Sequence, residues 1–522
     1  MDERTPWQWL RRPLPLLRRL AVESSGRFRT ARTWQVTTGS AAVGLAVAAV
    51  AVTAAGPWDS SGQRTAERHL AASREAGGGA DHAGGAPGER APGAAPSAPA
   101  VLAGLRAPAR GGPGGKALAD VLDPVLKDRA LGPERAAVVV DVATGKRLYG
   151  KRADDALTPA STTKIATAVA ALSAAGPDHR LTTSTVLQPD SREVVLVGGG
   201  DPTLTAREEG RYVEGYASLR ELADDTARAL KKHGKDPKDP KDRKDRKDRK
   251  DPVRLSYDDT RYTGPSRHPI GPNENITPVS ALMADEGRLD DSTSGPAPRT
   301  EDPAGDAARK FADLLRARGV DVRADVGPAK ASPRAARLAR TSSPALSVLV
   351  ERMLTHSDND IAEALARETA RASGEPLSFA GGSRAIRDRL EKLDLPLAGA
   401  EFADGSGLDR EDRLTAELLA ALLARAADRD HPELRSAVTG LPVAGFTGTL
   451  VNRYPQGSPG TGLVRAKTGT LTGVNTLAGT VVTADGRLLA FAFMTTGTTD
   501  PSGAQAALDA MASAAAACGC SA

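Results

Sequence analysis

Residues Ser161-Thr162-Thr163-Lys164 are the stretch on which the interpretation of this 522-residue sequence depends. Apolar residues follow at the spacing of one helix face, from Ile165 to Leu172, so the pattern predicts a helix that begins near the serine. Positions three apart lie on the same helix face, where a lysine amine can reach a serine hydroxyl. A serine hydroxyl needs a neighbouring base, and a buried lysine near other cations can lose its proton at neutral pH. Ser161 and Lys164 are therefore candidates for a nucleophile and its base, although S-x-x-K alone also occurs by chance.

Two further tripeptides complete a known set. Ser357-Asp358-Asn359 stands between two predicted helices, 196 positions after Ser161, and Lys467-Thr468-Gly469 follows 110 positions later, before a predicted hairpin at 476–494. S-x-x-K, S-D-N and K-T-G in this order are the signature of class A β-lactamases and penicillin-binding proteins.

Each residue of the set has a chemical use. Ser357 can bridge the two lysines and pass a proton to a leaving amine, and Asn359 can orient a peptide bond. Lys467 and Thr468 offer a cation and a hydroxyl to a terminal carboxylate. Gly469 lets an edge strand approach the substrate. We further predict that the charge of Lys467, across the serine, keeps Lys164 neutral.

The long first interval argues against a compact class A β-lactamase. Over roughly residues 116–517 the chain resembles the D-alanyl-D-alanine carboxypeptidase/endopeptidase family, the low-molecular-mass class C penicillin-binding proteins. The resemblance also covers short blocks outside the three motifs: 199–204, 278–282, 404–408, 441–445 and 448–450.

The resemblance implies an α+β fold of the β-lactamase/transpeptidase type, an antiparallel sheet flanked by helices beside a helical cluster. It implies a serine-type D-Ala-D-Ala carboxypeptidase (EC 3.4.16.4) that needs neither metal nor cofactor. Ser161 would attack the stem-peptide carbonyl with Lys164 as base, and Ser357 and Lys467 would protonate the leaving D-alanine. Asn359, Lys467, Thr468, Gly469 and Thr470 would bind substrate. The N–H groups of Ser161 and Thr470 would form the oxyanion hole. Peptidoglycan stem peptides and β-lactams are the implied partners.

The N-terminal region indicates a membrane anchor. Residues 1–36 carry eight arginines against three acidic residues, and residues 37–56 are apolar or small and uncharged. A transmembrane helix there would place the N-terminus in the cytoplasm and the catalytic domain outside. Cleavage as a signal peptide, giving a secreted protein, is the alternative. Residues 57–115, rich in Ala, Gly and Pro, predict a disordered linker.

We expect the catalytic domain to comprise 116–185 and 275–520, with a smaller inserted region, 186–274, between the first two motifs. A Lys-Asp repeat at 235–251 inside the insert predicts disorder. The glycines at 198–200 lack the ending of a phosphate-binding loop and predict a structural turn. Outside the N-terminal segment the chain is nearly neutral, which argues against nucleic-acid binding.

Cys518 and Cys520 are too few for a disulfide framework or a zinc site, and we expect an exposed pair outside the core. The scattered histidines form no metalloprotease motif, and His356 is interpreted as structural. Two other functions stay open: a β-lactamase or esterase on the same scaffold, and a non-catalytic membrane-tethered cell-wall binding protein. The balance between carboxypeptidase and endopeptidase activity, the diamino acid of the stem peptide and the oligomeric state also stay open.

Overall fold

A computed structural model describes residues 115–208, 215–233, 252–455 and 457–518. The predicted basic segment (1–36), the anchor (37–56), the linker before Gly115 and the Lys-Asp repeat (235–251) lie outside the described residues. Within the ranges that are described, no helix is both long enough and apolar enough to cross a bilayer.

The described residues form ten α-helices and twelve β-strands in alternating groups. The helices are α1 (Gly115–Leu126), α2 (Thr163–Ala175), α3 (Leu219–His233), α4 (Pro303–Ala317), α5 (Leu346–His356), α6 (Asn359–Ser373), α7 (Phe379–Glu391), α8 (Ala416–Ala427), α9 (Ser436–Thr439) and α10 (Pro501–Ala517). The strands are β1 (Glu134–Asp141), β2 (Arg147–Lys151), β3 (Ala156–Leu157), β4 (Thr182–Leu187), β5 (Glu193–Val197), β6 (Arg254–Asp258), β7 (Gly327–Pro328), β8 (Ala336–Ser342), β9 (Leu414–Thr415), β10 (Val464–Leu471), β11 (Val474–Val482) and β12 (Leu488–Thr496).

The first sheet has five antiparallel strands in the order β10-β11-β12-β1-β2. Successive residues of β1 point to opposite faces: Ala136, Val138 and Val140 pack into one core cluster, and Ala137 and Val139 into the other. The β1 sequence is continuously apolar because both faces are buried, so alternation is lost. The second cluster contains residues of α1 and α10, and the first contains residues of α2, α5, α6 and α8. This confirms the predicted α+β class with a helix-flanked antiparallel sheet.

Helix α2, which follows Ser161, is buried on nearly every side. All ten of its residues from Thr163 to Leu172 are buried. It contacts α5, α6, α7 and α8, which together form the predicted helical cluster. Its alanines allow this many neighbours to approach, because small side chains let helix backbones come close. A helix with no free face is a rigid support for the residues at its start.

A second five-stranded sheet, in the order β7-β6-β5-β4-β8, lies between the first two motifs in sequence. Strand β4 pairs antiparallel with β8, from Thr182↔Ser342 onward, while β5 and β6 run parallel. Helices α3 and α4 cover it through a separate apolar cluster. The inserted unit is therefore larger than the expected region 186–274. Strand β8 was not predicted because Ala336, Arg337 and Arg340 are exposed and its other residues are only half-buried, so its sequence has no apolar alternation.

The structure also shows the surroundings of the glycines at 198–200 and of Cys518. A structural turn was predicted at the glycines 198–200. A Cβ on Gly198 would lie 2.5 Å from the Ala281 oxygen, and one on Gly199 would lie 2.1 Å from the Thr182 oxygen, so these two glycines serve close backbone packing. Cys518 is buried against the α10 side of the first sheet, so its expected exposure is wrong. Cys520 lies outside the described residues.

Candidate active site

The turn before α2 fixes the orientation of Ser161. Residues Ala160–Thr162 form one 3-10 turn, and Ala160 has a left-handed backbone with φ of 49°. Such a conformation is unfavourable for a residue with a Cβ, at about 1 kcal/mol or more. The Pro159 carbonyl accepts hydrogen bonds from the Thr162 hydroxyl at 2.7 Å and the Thr476 hydroxyl at 2.8 Å. These bonds tie the turn to the sheet and leave Ser161 half-buried at a cleft.

Lys164 is completely buried and has three oxygen partners. Its Nζ lies 3.0 Å from the Ser161 Oγ, 2.6 Å from the Asn359 Oδ1 and 2.6 Å from the Ser406 carbonyl oxygen. The amide and carbonyl oxygens only accept hydrogen bonds, whereas a hydroxyl can donate or accept. A neutral amine has two hydrogens and one lone pair. Once the two hydrogens are donated to Asn359 and Ser406, the lone pair faces the Ser161 hydroxyl.

The second motif forms a strained turn between α5 and α6. Ser357 adopts a left-handed backbone, φ 59° and ψ 41°, at the end of α5. The Asp358 carboxylate caps α6 by accepting the Ile361 N–H at 3.0 Å. The Ser357 Oγ lies 2.8 Å from the Lys467 Nζ. Thus the cap of one helix and the end of another hold the serine toward the sheet.

The two lysines contact different residues of the second motif. Ser357 contacts Lys467, but Lys164 is contacted by Asn359, not by Ser357, so the expected bridge between both lysines is not present in this geometry. The Asn359 amide nitrogen donates to the Asn275 carbonyl at 2.9 Å. Asn359 is thereby fixed between the lysine and the segment that returns from the insert.

Buried charges lie behind this turn. The carboxylates of Glu286, Asp358 and Asp360 offer oxygens that all lie within 4.8 Å of one another. Arg288 contacts Glu286 at 2.8 Å and Arg299 contacts Asp360 at 3.1 Å. Burial raises the pKa of Asp360 to about 7 and that of Glu286 well above its usual range, with the neighbouring carboxylates as a further cause. The group therefore joins the inserted unit to the second motif through ion pairs.

Strand β10 carries the third motif at the edge of the first sheet. Lys467 is fully buried and donates to Ser357 and to the Thr468 carbonyl, so it lies behind the cleft surface. Thr468 and Thr470 line the cleft, as expected from their alternate positions along the strand. The Thr468 hydroxyl is 2.8 Å from that of Thr449.

Gly469 has a packing role that the sequence did not predict. A Cβ there would lie 2.1 Å from the Thr476 Oγ1 and 2.6 Å from the Pro159 oxygen. The glycine faces the turn that precedes Ser161 and lets strand and turn approach closely. The expected approach of this strand to a substrate stays a prediction.

Burial is the main cause of the unusual lysine acidities. It lowers the pKa of Lys164 to about 8, against the opposing effect of four nearby carboxylates, those of Asp404, Asp358, Glu363 and Asp412. Burial first, and the charge of Lys164 second, lower the pKa of Lys467 well below its usual range. The predicted effect of Lys467 is thus not the main cause of the lowered pKa of Lys164, which is burial. The repulsion between the two ammonium groups is mutual and opposes protonation of both lysines at once.

These elements enclose a cleft of about 420 Å³. Ser161, Ser357, Asn359, Thr468 and Thr470 line it together with Thr449, His356 and three arginines, Arg288, Arg299 and Arg453. Burial and nearby Arg352 lower the pKa of His356, so near neutral pH it contributes an uncharged ring to the wall.

Two groups of buried side chains contain atoms of the kind that bind metals. One is Glu286, Asp358 and Asp360, and the other is His268, Glu363 and Asp404. Each already contacts an arginine, Arg288 in the first group and Arg367 in the second, at 3.1 Å from Glu363. Charge balance in these groups is provided by side chains of the protein.

Sequence reasoning missed three partners of the site. The Asn275 and Ser406 contacts are made by backbone carbonyls, which have no signature in a side-chain pattern. Thr449 lies in a short block that was singled out without a role. The glycine before it was the available signal of a closely packed loop, since a Cβ added at Gly448 would lie 2.1 Å from the Thr355 oxygen.

Comparisons with known proteins agree on one family. Residues 118–294 and 290–518 match the model of the D-Ala-D-Ala carboxypeptidase 3 (S13) family. A carboxypeptidase of Mycobacterium tuberculosis is 35% identical over 447 residues, which cover 83% of this chain and 91% of that protein. The carboxypeptidase DacB of Mycolicibacterium smegmatis is 35% identical over 398 residues, or 74% of this chain and 80% of that protein.

A solved structure shares the fold. The crystal structure of penicillin binding protein 4 from Haemophilus influenzae superposes with a TM-score of 0.57 and 21% identity, covering 76% of this chain and 97% of that one. At this identity the likeness concerns the fold alone, and it confirms the predicted fold class.

Substitution Gly469→Ala tests the close approach of β10 to the Ser161 turn. We expect a loss of about 1–3 kcal/mol in the free energy of unfolding, because the added methyl collides with backbone and hydroxyl oxygens. Gly327→Ala is the matched control, since this strand glycine has no atom within 4 Å of the added Cβ. Denaturant unfolding measures both. Equal stability of the two variants would contradict the assigned packing role.

Proposed function

The chain belongs to the D-Ala-D-Ala carboxypeptidase 3 (S13) family, and we propose that it cleaves the terminal D-Ala-D-Ala bond of peptidoglycan stem peptides through an acyl-serine intermediate on Ser161. Carboxypeptidase and penicillin-binding function follow from the family and fold. The serine mechanism is our inference. The observation that carries it is the set of three oxygens around the Lys164 amine.

Lys164 is the general base in this mechanism. In the neutral amine, Asn359 and Ser406 occupy both hydrogens, so the lone pair takes the proton of the Ser161 hydroxyl as Oγ attacks the carbonyl carbon. The oxygen–carbon bond forms, and the carbonyl oxygen gains negative charge. The backbone N–H groups of Ser161 and Thr470 are the proposed donors to that charge, each worth about 10²–10³ in rate.

Ser357 and Lys467 serve the leaving group. When the carbon–nitrogen bond breaks, the departing D-alanine amine takes the Ser357 proton, and Lys467 at 2.8 Å supplies a replacement. A strongly lowered pKa makes protonated Lys467 an effective acid in this exchange. Before deacylation, Lys164 releases to solvent the proton it took from Ser161, and Lys467 regains one from solvent. Water then attacks the acyl-serine ester, and Lys164 takes a proton from that water. As the ester bond breaks, Lys164 returns this proton to the Ser161 oxygen.

The cleft suits a peptide that ends in a carboxylate. Thr468 and Thr470 present hydroxyls to it, and arginines line another part of its wall. We propose that these groups, with Asn359 and the strand at Gly469, bind the stem peptide. A β-lactam enters the same cleft and acylates the same serine.

The two other functions considered differ in one measurable step. A β-lactamase would hydrolyse the penicillin adduct quickly, whereas a carboxypeptidase would release it slowly. A non-catalytic binding protein would form no adduct.

Labelling with a fluorescent penicillin tests the nucleophile. We expect one label on each wild-type molecule and none on Ser161→Ala, because Ser161 is the hydroxyl that contacts the Lys164 amine, whereas Ser357 contacts Lys467 and serves the leaving group. Ser191→Ala, an exposed serine between β4 and β5, is the control and should label normally. Unlabelled wild type, or a labelled Ser161→Ala variant, would refute the assignment. Rapid loss of label would instead indicate a β-lactamase.

The pH dependence of acylation tests Lys164. The amine must be unprotonated to act, and burial lowers its pKa from 10.5 to about 8. We therefore expect the second-order acylation rate constant to rise about tenfold per pH unit below pH 8 and to level off above it. Lys164→Arg should abolish acylation, since a guanidinium stays protonated. A flat profile between pH 6 and 9 would exclude this base.

We also propose that residues 37–56 anchor the protein in the cell membrane, with the catalytic domain outside. The support is the uncharged stretch preceded by eight arginines.

Fractionation tests the anchor. The full-length chain should sediment with membranes and keep its N-terminus, and a variant lacking residues 1–56 should not sediment. Recovery of the wild type as a soluble protein with a new N-terminus near residue 56 would show signal-peptide cleavage instead.

A further inference from the structure

The loop Asp404–Asp409 presents a backbone carbonyl to the catalytic lysine. Ser406 accepts a hydrogen bond from the Lys164 Nζ at 2.6 Å. The neighbouring Gly405 carbonyl accepts the Thr167 hydroxyl at 2.6 Å, one turn further along α2. A Cβ on Gly407 would lie 2.0 Å from the Ala160 oxygen, so the loop packs directly under the Ser161 turn. The position of this loop therefore sets the position of the amine.

The Asp404 carboxylate holds the loop in shape. It accepts the backbone N–H groups of Ser406 and Asp409, each at 2.8 Å, and also the N–H of Gly407. The Ser406 hydroxyl donates to it at 3.0 Å. One side chain thus satisfies four donors of its own loop, and its side chain has no exposure to solvent.

His268 contacts this carboxylate from the inserted unit. Its Nε2 lies 2.8 Å from the Asp404 Oδ2, and its Nδ1 accepts the Ile270 N–H at 3.2 Å. An acceptor at Nδ1 fixes the imidazole with its hydrogen on Nε2, directed at Asp404. The edge of the Phe379 ring system lies against it, with centroids 5.3 Å apart. His268 belongs to the inserted unit, 136 positions before Asp404, and the mechanism above gives it no role.

We propose that His268 is a positioning residue for Lys164: through Asp404 it fixes the Ser406 carbonyl and so keeps the lysine lone pair on Ser161. This inference deepens the proposed function and rests on it. The chain of contacts is continuous, from imidazole to carboxylate, to loop, to amine, and each polar contact in it is 3.0 Å or shorter.

The same contacts affect the charge seen by Lys164. Four carboxylates raise the pKa of Lys164 against the lowering effect of burial, and Asp404 has the largest effect of the four. Although burial alone would raise it, the pKa of Asp404 is lowered to about 2 by His268 and by backbone donors. Without His268 the four loop donors would keep Asp404 ionised. The Asp404 charge would then have one hydrogen-bond donor fewer and would stabilise the protonated form of Lys164 more strongly.

Other charged groups face these two side chains. Asp404, Glu363 and Asp409 act on His268. Asp358, Glu363, Asp404 and Asp412 act on Lys164, which in turn acts on Lys467. Substitution of His268 leaves every one of these groups in place, so a change in the pH profile reports the lost contact.

The test compares two polar substitutions of one histidine. In His268→Gln an amide nitrogen can reach the Asp404 position that Nε2 contacts, whereas in His268→Asn the side chain is too short. The acid limb is the part of the pH profile below pH 8, where acylation slows because Lys164 is protonated. We expect His268→Asn to move the acid limb of penicillin acylation upward by about 0.5–1 pH unit, so that acylation at pH 7 is about three- to tenfold slower. His268→Gln should retain most of the wild-type rate and the wild-type limb.

His179→Asn is the matched control. His179 contacts the buried carboxylate of Glu368 at 3.1 Å in the helical cluster, without a link to the loop at Asp404. It should lower thermal stability without moving the acid limb.

The inference is overturned if His268→Asn acylates with the wild-type profile, if the Asn and Gln variants shift equally, or if His179→Asn produces the same shift. Should the Asn variant not fold, the Gln variant decides: an acid limb at the wild-type position supports the inference, and a displaced limb refutes it. Wild type that is not acylated at all refutes the proposed function instead, which keeps the two failures apart.

Discussion

The burial of one amine constrains much of this structure. An ammonium group placed in the interior without partners would be very unfavourable, and a neutral amine there still needs its hydrogens accepted. Oxygen atoms from three separate parts of the chain, at Ser161, Asn359 and Ser406, contact the Lys164 amine. Because these parts are far apart in sequence, the helical cluster, the second motif and the loop at Asp404 must come together before the lysine can be buried. Chemistry and folding thus depend on the same contacts.

Much of the fold could be predicted because its elements have strong local signals. Helix α10 begins at a proline and contains a run of alanines, and the hairpin of β11 and β12 is apolar on both sides of a turn with Gly486. The three motifs likewise identified Ser161, Ser357, Asn359 and Thr468, which line the cleft. Ser161, Ser357 and Lys467 are brought together where the motif order indicated, although their roles stay predictions until the serine is labelled.

What sequence could not provide were the contacts without a side-chain signature. The Ser406 carbonyl is invisible in a pattern of residue types, and β8 is a strand of arginines and alanines whose pairing with β4 comes from tertiary context. The packing of Gly469 against the Ser161 turn could not be predicted either, because a glycine indicates that space is short but not which neighbour occupies it. The cause of the lysine acidity required knowledge of burial, which no spacing of charges supplies.

The two ends of the inserted unit leave the catalytic domain side by side. The N–H of Ser343 donates to the Leu181 carbonyl at 2.8 Å, the Leu181 N–H donates to the Ser343 hydroxyl at 2.9 Å, and β4 and β8 pair immediately beyond. In evolutionary terms this is a point of attachment at which a whole unit can be lengthened, shortened or exchanged without separating α2 from α5. The freedom is not complete, because the segment from His268 to Arg299 returns to the catalytic domain and contacts it at Asp404 and at Asp360. Divergence of the insert is therefore expected to spare that returning segment and to accumulate in the sheet and helices beyond it.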